Sequence, residues 1–286
     1  TRIGDEQSTA LTNDGSRNGD RKMYFQAILD YNRIFKEVHD LNIMFLYNQE
    51  QYDINGPTTL FSSLPQRKQG VAGRVSYSYD GRYYIEGNFG YNGSENFAKG
   101  HRWGFFPSIA LGYNISEESF FEPLRKVITS MKLRGSWGML GNERIGSNYF
   151  PYIALMSFGN SLFYMADGSV VSDKTARPAV LAVEDITWET TTSTDLGLDV
   201  NFLNNRLQFH FDYYWKETKD MLLNIEIPYF MGYNNPSTNA GKMSTHGYDI
   251  EVAWNDQIGD FKYGVNVNFS DFLSKIDYMN DGEQIS

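Results

Sequence analysis

Residues 206–219 read RLQFHFDYYWKETK, and the character of the side chain switches at nearly every step. Leu207, Phe209, Phe211, Tyr213 and Trp215 alternate with Gln208, His210, Asp212, Tyr214 and Lys216. Successive side chains of a strand point to opposite faces, so this segment carries one wholly apolar face and one polar, partly charged face. The pattern recurs as Leu196, Leu198, Val200 and Phe202 against Asp195, Asp199 and Asn201, and as Tyr248, Ile250, Val252 and Trp254 against Asp249, Glu251 and Ala253. Such strands, about ten residues long, aromatic-rich and joined by alternately short and long connections, are the sequence signature of an antiparallel transmembrane β-barrel.

Composition supports this reading. Aromatics make up 16% of the 286 residues and Tyr alone contributes 20, yet the mean hydropathy is −0.47. No run of about 18 apolar residues is present to cross a bilayer as a helix. A barrel reconciles these facts, because only alternate residues meet lipid while lumen and loops stay polar. The absence of cysteine excludes a disulfide framework, a thiol nucleophile and thiolate metal ligands. A net charge of −10 argues against nucleic acid, which needs a basic face. Thr1 is followed by neither a basic segment nor an apolar one, so either a signal peptide and more have been removed or the chain is an internal piece of a longer protein, the reading favoured by the likeness described below.

Alternation marks ten strands, at 22–33, 38–50, 71–80, 83–92, 104–114, 130–140, 194–202, 206–217, 246–255 and 260–273. The face directed at lipid carries Phe25, Leu29, Ile43, Phe45, Val75, Ile85, Phe89, Phe105, Ile109, Leu133 and Trp137. The lumenal face carries Asp30, Arg74, Glu86, Lys132, Arg134, Asn266 and Asn268. The connections 34–37, 80–82, 203–205 and 255–259 are tight, with the Asp80-Gly81 and Asn204-Asn205 chemistry of hairpin turns. The connections 51–70, 93–103, 141–193 and 218–245 are long. Outer-membrane barrels keep short turns on the periplasmic side and long loops outside, which orients the chain. The exception, 115–129, is a periplasmic connection long enough for one helical turn. Tyr31, Tyr79, Tyr83, Tyr113, Phe202, Trp254 and Phe261 gather beside the short turns, as a girdle at headgroup level requires. Cross-strand packing in a soluble sheet is the competing explanation.

Particular strings carry a closer likeness. WGFFPSIALGYNISEESFF (103–121), MKLRGSWGMLGN (131–142), ITWETTTSTDLGLDV (186–200) and the run from DYYWKETKDMLL to NAGKMSTHGYDIEVAW (212–254) resemble the barrel of the SusC/RagA-like TonB-dependent transporters of Bacteroidetes outer membranes. Tyr248-Asp249 and Met243 depart from the usual wording of the last motif. The likeness is close over 70–286 and rests on general barrel character before that. It implies a portion of a larger, plugged barrel of roughly 22 strands, with the plug domain and the TonB box outside this chain. It further implies import of oligosaccharides or oligopeptides, energised through TonB, with a SusD-like surface lipoprotein as lid and no cofactor. A passive porin or structural barrel, and a soluble all-β carbohydrate-binding module, are the alternatives from other functional classes.

No enzymatic constellation is legible. His210 and Asp212 share the lumenal face, but no serine nucleophile accompanies them. His39, His101 and His246 are scattered singly, against a zinc site. LTNDGSRNGD (11–20) has the composition of a calcium loop but lacks the closing bidentate Glu, and Asn92-Gly93-Ser94 matches a glycosylation acceptor only by chance. More informative are two long connections too apolar for solvated loops, 148–168 and 227–237. Their aromatic side chains Tyr149, Phe150, Tyr152, Phe158, Phe163, Tyr164, Tyr229, Phe230 and Tyr233 are suited to stacking on sugar rings or docking a lid protein. Mutual packing of the loops is the simpler role for the same residues.

Overall fold

The computed structural model describes residues 19–55, 60–144, 149–228, 230, 232 and 235–279. Ten strands form one antiparallel sheet in the order β1-β2-β3-β4-β5-β6-β9-β10-β11-β12. They are β1 (Gly19–Phe35), β2 (His39–Asn55), β3 (Gln66–Tyr79), β4 (Tyr83–Ser94), β5 (Trp103–Asn114), β6 (Ile128–Asn142), β9 (Glu189–Phe202), β10 (Leu207–Asn224), β11 (Ser237–Ile258) and β12 (Phe261–Met279). Within the β6–β9 connection, β7 (Leu155–Tyr164) and β8 (Val170–Val180) pair as a separate hairpin. One short helix, α1 (Leu60–Ser63), lies between β2 and β3.

The register carries the two-faced pattern across the sheet. Residues directly opposite in antiparallel strands share a face. One row runs Tyr31, Ile43, Val75, Gly87, Ile109, Trp137, Thr194, Trp215, His246, Leu273. Its neighbour runs Asn32, Asn42, Ser76, Glu86, Ala110, Ser136, Asp195, Tyr214, Gly247, Phe272. A predominantly apolar surface therefore backs a predominantly polar one from edge to edge, as the sequence leads one to expect.

The turns at one end follow the sequence closely. Lys36 and Glu37 have φ of 51° and 61°, Asp80 and Gly81 have 51° and 64°, and Leu203, Asn204 and Asn205 are also left-handed. Such backbone matches the twist of paired strands in two-residue hairpins, and Gly, Asn and Asp adopt it at least cost. The longer connection between β5 and β6 forms two short 3-10 turns, Ile115–Glu117 and Ser119–Leu124. Beside these turns the aromatic rings meet in sequence: His39 tilted against Tyr79 at 5.2 Å, Tyr79 stacked on Tyr83 at 6.4 Å and Tyr83 on Tyr113 at 5.1 Å. The expected periplasmic girdle is thus partly a continuous ladder of rings.

At the opposite end the structure corrects the sequence reading. Several strands continue well past the expected limits: β2 runs to Asn55, β10 to Asn224 and β11 starts at Ser237. The long connections shrink accordingly. Above the apolar band both faces become polar, so Gln, Lys, Ser and Thr continue the ladder without the alternation that marked it lower down. Within the segment expected as a loop over 148–168, residues 155–164 form strand β7, paired with β8 around Asp167 and Gly168, whose φ is 82°. Asp167 Oδ1 accepts hydrogen bonds from the Ser169 N–H at 2.9 Å and hydroxyl at 2.6 Å, which hold that carboxyl below the usual carboxylate range.

Candidate functional site

The apolar packing among the described residues is concentrated at the long-connection end. Trp188, just before β9, packs edge-on to Phe106 of β5 at 5.3 Å and against Phe97 at 5.2 Å, and its indole N–H donates to the Arg102 carbonyl at 3.2 Å. Phe97 and Ile186 are fully buried in the same cluster. The cluster sits where β5 and β6 part. Their pairing ends at Ser108, beside Pro107, which has no N–H to donate. The Phe106 ring lies over Gly104 and Gly141, at positions a Cβ would occupy.

Polar groups tie this cluster to the neighbouring strands. Glu189 accepts from Asn142 Nδ2 at 3.2 Å and from the Leu222 N–H at 3.3 Å. Asn239 donates to the Thr187 and Asp220 carbonyls at 3.0 and 2.7 Å and accepts from the Thr187 N–H at 2.8 Å. Asp220 stands at an irregularity of β10 with φ of 55°, and the turned backbone aims its carbonyl at β11.

The aromatic candidates separate into two groups on this scaffold. Phe150 is 3% exposed, left-handed at φ 58°, and meets Tyr152 edge-on at 6.3 Å. Tyr152 donates to the Glu95 carbonyl at 3.3 Å, the Pro151 carbonyl accepts from Val183, and Tyr149 contacts Phe150 at 6.5 Å. Phe150 and Tyr152 fasten the root of the β6–β9 connection to the rim, while Tyr149 is 41% exposed. Phe158 and Tyr164 are 79% and 80% exposed, on the same face of the hairpin as Met156 and Leu162, while Phe163 is on its other face. Phe230 is 89% exposed; Tyr229 and Tyr233 lie outside the described residues, as do 11–18 of the Asp/Asn/Gly-dense segment. Met156, Leu162, Met165, Val170 and Val171 add to the hairpin's exposed apolar surface. These were not picked out from sequence, although Asp167-Gly168 between two apolar runs was a readable signal for a hairpin.

Lower on the polar face, Arg134 of β6 reaches across two strands. It donates to Asp199 Oδ2 and Oδ1 at 2.7 and 2.9 Å and to Asp212 Oδ1 at 2.8 Å. His210 Nδ1 lies 2.9 Å from Asp199 Oδ1. His210 and Asp212 thus join a four-residue network of ion pairs and hydrogen bonds anchored by arginine.

Chemically, the arrangement is a wall: apolar outside, ion-paired inside, with an aromatic rim above. The comparisons agree with it. The family model described as "TonB dependent receptor-like, beta-barrel" matches residues 3–286. The chain is 34% identical over 219 residues to TonB-dependent receptor P3 of Formosa agariphila, covering 75% of this chain and 21% of that protein. It is 32% identical over 227 residues to TonB-dependent receptor SusC of Bacteroides thetaiotaomicron, covering 75% and 22%. The fold is similar to that of the RagAB peptide transporter, with a TM-score of 0.78 at 23% identity over 93% of this chain and 31% of that one. The chain spans about a fifth of the length of these curated relatives. It belongs to the β-barrel family of the TonB-dependent receptors and lies in the bacterial outer membrane.

Proposed function

We propose that this chain is one sector of the barrel wall of an active importer, which takes up oligosaccharides or oligopeptides with energy delivered through TonB and works with a SusD-like surface lipoprotein. The plug domain and TonB box belong to parts of the parent protein beyond this sector. The observation that carries the reading is the convergence of the family's wording in space. KLR supplies Arg134, GLD supplies Asp199, and DYY supplies Asp212 to one network, and the WE and FPS strings supply Trp188 and Phe106 to one cluster. The relative named SusC and the likeness to the RagAB peptide transporter support pairing with a SusD-like lipoprotein, and the latter protein is named for the transport of peptides.

Within this sector, the hairpin face bearing Phe158 and Tyr164, together with Phe230, is the candidate contact for lid or substrate. Phe150 and Tyr152 hold the root of that hairpin and act through it. The test is growth of the parent organism on glycans and on peptides as sole nutrient, wild type against a deletion of the whole gene. Loss of growth on one nutrient class, reproduced by abolishing the TonB-derived energy supply, is the expected result. Uptake that survives loss of the energy supply would mark a passive pore instead.

A further inference from the structure

A hollow of 180 Å³ opens on the outward face of the sheet at the upper end of β2–β5, lined by Gln49, Gln69, Ser94, Trp103, Arg67 and Arg102 among others. Its height follows from the register. Tyr47, Val71, Tyr91 and Phe105 form the top apolar row; Gln49, Gln69, Gly93 and Trp103 form the row above. Arg67, opposite Gln51, is one row higher still, and Arg102 directly precedes Trp103. Amphipathic rings settle at the membrane interface. Trp103 does so here, stacked on Tyr91 at 4.7 Å and lying flat over Gly93, where a Cβ would come within 3.0 Å of its ring. Arg67 therefore stands at outer-leaflet headgroup depth on the lipid side of the wall, and Arg102, just before β5, lines the same hollow.

Their charge is incompletely spent. Both approach a single carboxylate, Glu95, at 3.8 and 3.9 Å, distances too long for hydrogen bonds. Arg67 otherwise donates one bond from Nε to Gln51, and Arg102 one from Nε to the Phe97 carbonyl. The nearby Asp53 is occupied by Gln51 Nε2 at 2.9 and 3.1 Å. Among the described residues, the hydrogen bonds of both guanidiniums run through Nε, and their terminal nitrogens reach only ion-pair distance from Glu95, in a protein whose overall charge is −10.

We propose that this hollow binds the phosphate of an outer-leaflet phospholipid or phosphorylated glycolipid, with Arg67 and Arg102 clamping the phosphate and the acyl chains descending along Trp103, Tyr91 and Phe105. Guanidinium forks suit phosphate oxygens bidentately, and basic pockets at the protein–lipid boundary recognise anionic headgroups. The proposal is independent of what the transporter imports.

The test uses the full-length receptor, purified in detergent and offered diphosphoryl lipid A, the same lipid stripped of its phosphates, or inorganic phosphate alone, with bound species counted by native mass spectrometry. The proposal expects one tightly retained diphosphoryl lipid, weaker retention of the stripped lipid, and no displacement by millimolar inorganic phosphate. Retention should fall roughly fivefold for each charge removed in Arg67→Gln and in Arg67→Gln/Arg102→Gln. The single variant guards against loss of the Arg102–Phe97 bond, and unchanged heat-modifiable migration verifies the barrel. Equal retention of stripped lipid, full displacement by inorganic phosphate, or variants that match wild type would each overturn the assignment.

Discussion

A methyl group at Gly197 would sit 2.4 Å from Asp212 Oδ1 and 2.7 Å from the Arg134 guanidinium carbon. The ionic network therefore depends on a residue that contributes no atom to it. Gly197→Ala should separate Arg134 from Asp212 and destabilise the parent barrel by about 1–3 kcal/mol, measured by urea unfolding after refolding into bilayers; an unchanged midpoint would sink this account. The sequence showed Arg134, His210 and Asp212 facing the lumen. It could not show the network, because Arg134 meets Asp199 and Asp212 across 65 and 78 positions of chain. The lipid face was fully legible. Phe209 lies between Val200 and Val252, and Phe211 between Leu198 and Ile250. Arginine at either position should cost about 2–4 kcal/mol near the bilayer midplane, and Gln208→Arg far less. The same bilayer unfolding assay reads both, and equal penalties would contradict the assignment of faces.

At the scale of elements, the sequence marked strands only where one face meets lipid. Below that band hairpin chemistry took over and the short turns were legible; above it, the signal vanished and the strand ends were missed. The β7–β8 hairpin escaped for a related reason. Ser157, Gly159, Asn160 and Ser161 interrupt its apolar alternation, because no lipid or packed core demands a clean face there. A free two-stranded hairpin is marginal in water, and this one exposes Phe158, Leu162 and Tyr164, so a partner surface would stabilise it. Replacing 155–180 with a polar turn of about five residues should leave assembly intact, since loop length is cheap outside the hydrocarbon band. Phe150 and Tyr152 are spared by that deletion and keep the rim cluster closed. Pull-down of the surface lipoprotein and growth on the imported nutrient, at matched surface abundance, should both weaken. If neither changes, the hairpin aromatics are not the contact.

For the whole molecule, the sheet order among the described residues runs from β1 to β12, and these two strands do not pair with each other. Both terminal strands expose ladder groups and apolar side chains, including Phe25, Leu29, Val267 and Phe269. An open sheet of this kind has no stable state in water or in lipid alone. The piece expressed by itself should aggregate, and a monodisperse detergent-free monomer with cooperative unfolding would favour a soluble module. Architecture at this scale was legible because strand period and connection length are both one-dimensional quantities. Which rim residues touch a partner was not, since that depends on surfaces supplied by another chain.

The central claim, that β10 presents alternate residues to lipid and to a polar lumen, can be tested most directly by cysteine scanning. The chain has no cysteine of its own, so single substitutions from Leu207 to Tyr214 can be introduced into a parent free of other reactive thiols and probed in intact outer membranes. A membrane-impermeant maleimide should label positions 208, 210, 212 and 214 and spare 207, 209, 211 and 213, with a lipid-borne quencher showing the reverse. Uniform labelling, or a pattern without the two-residue period, would contradict the membrane-spanning wall.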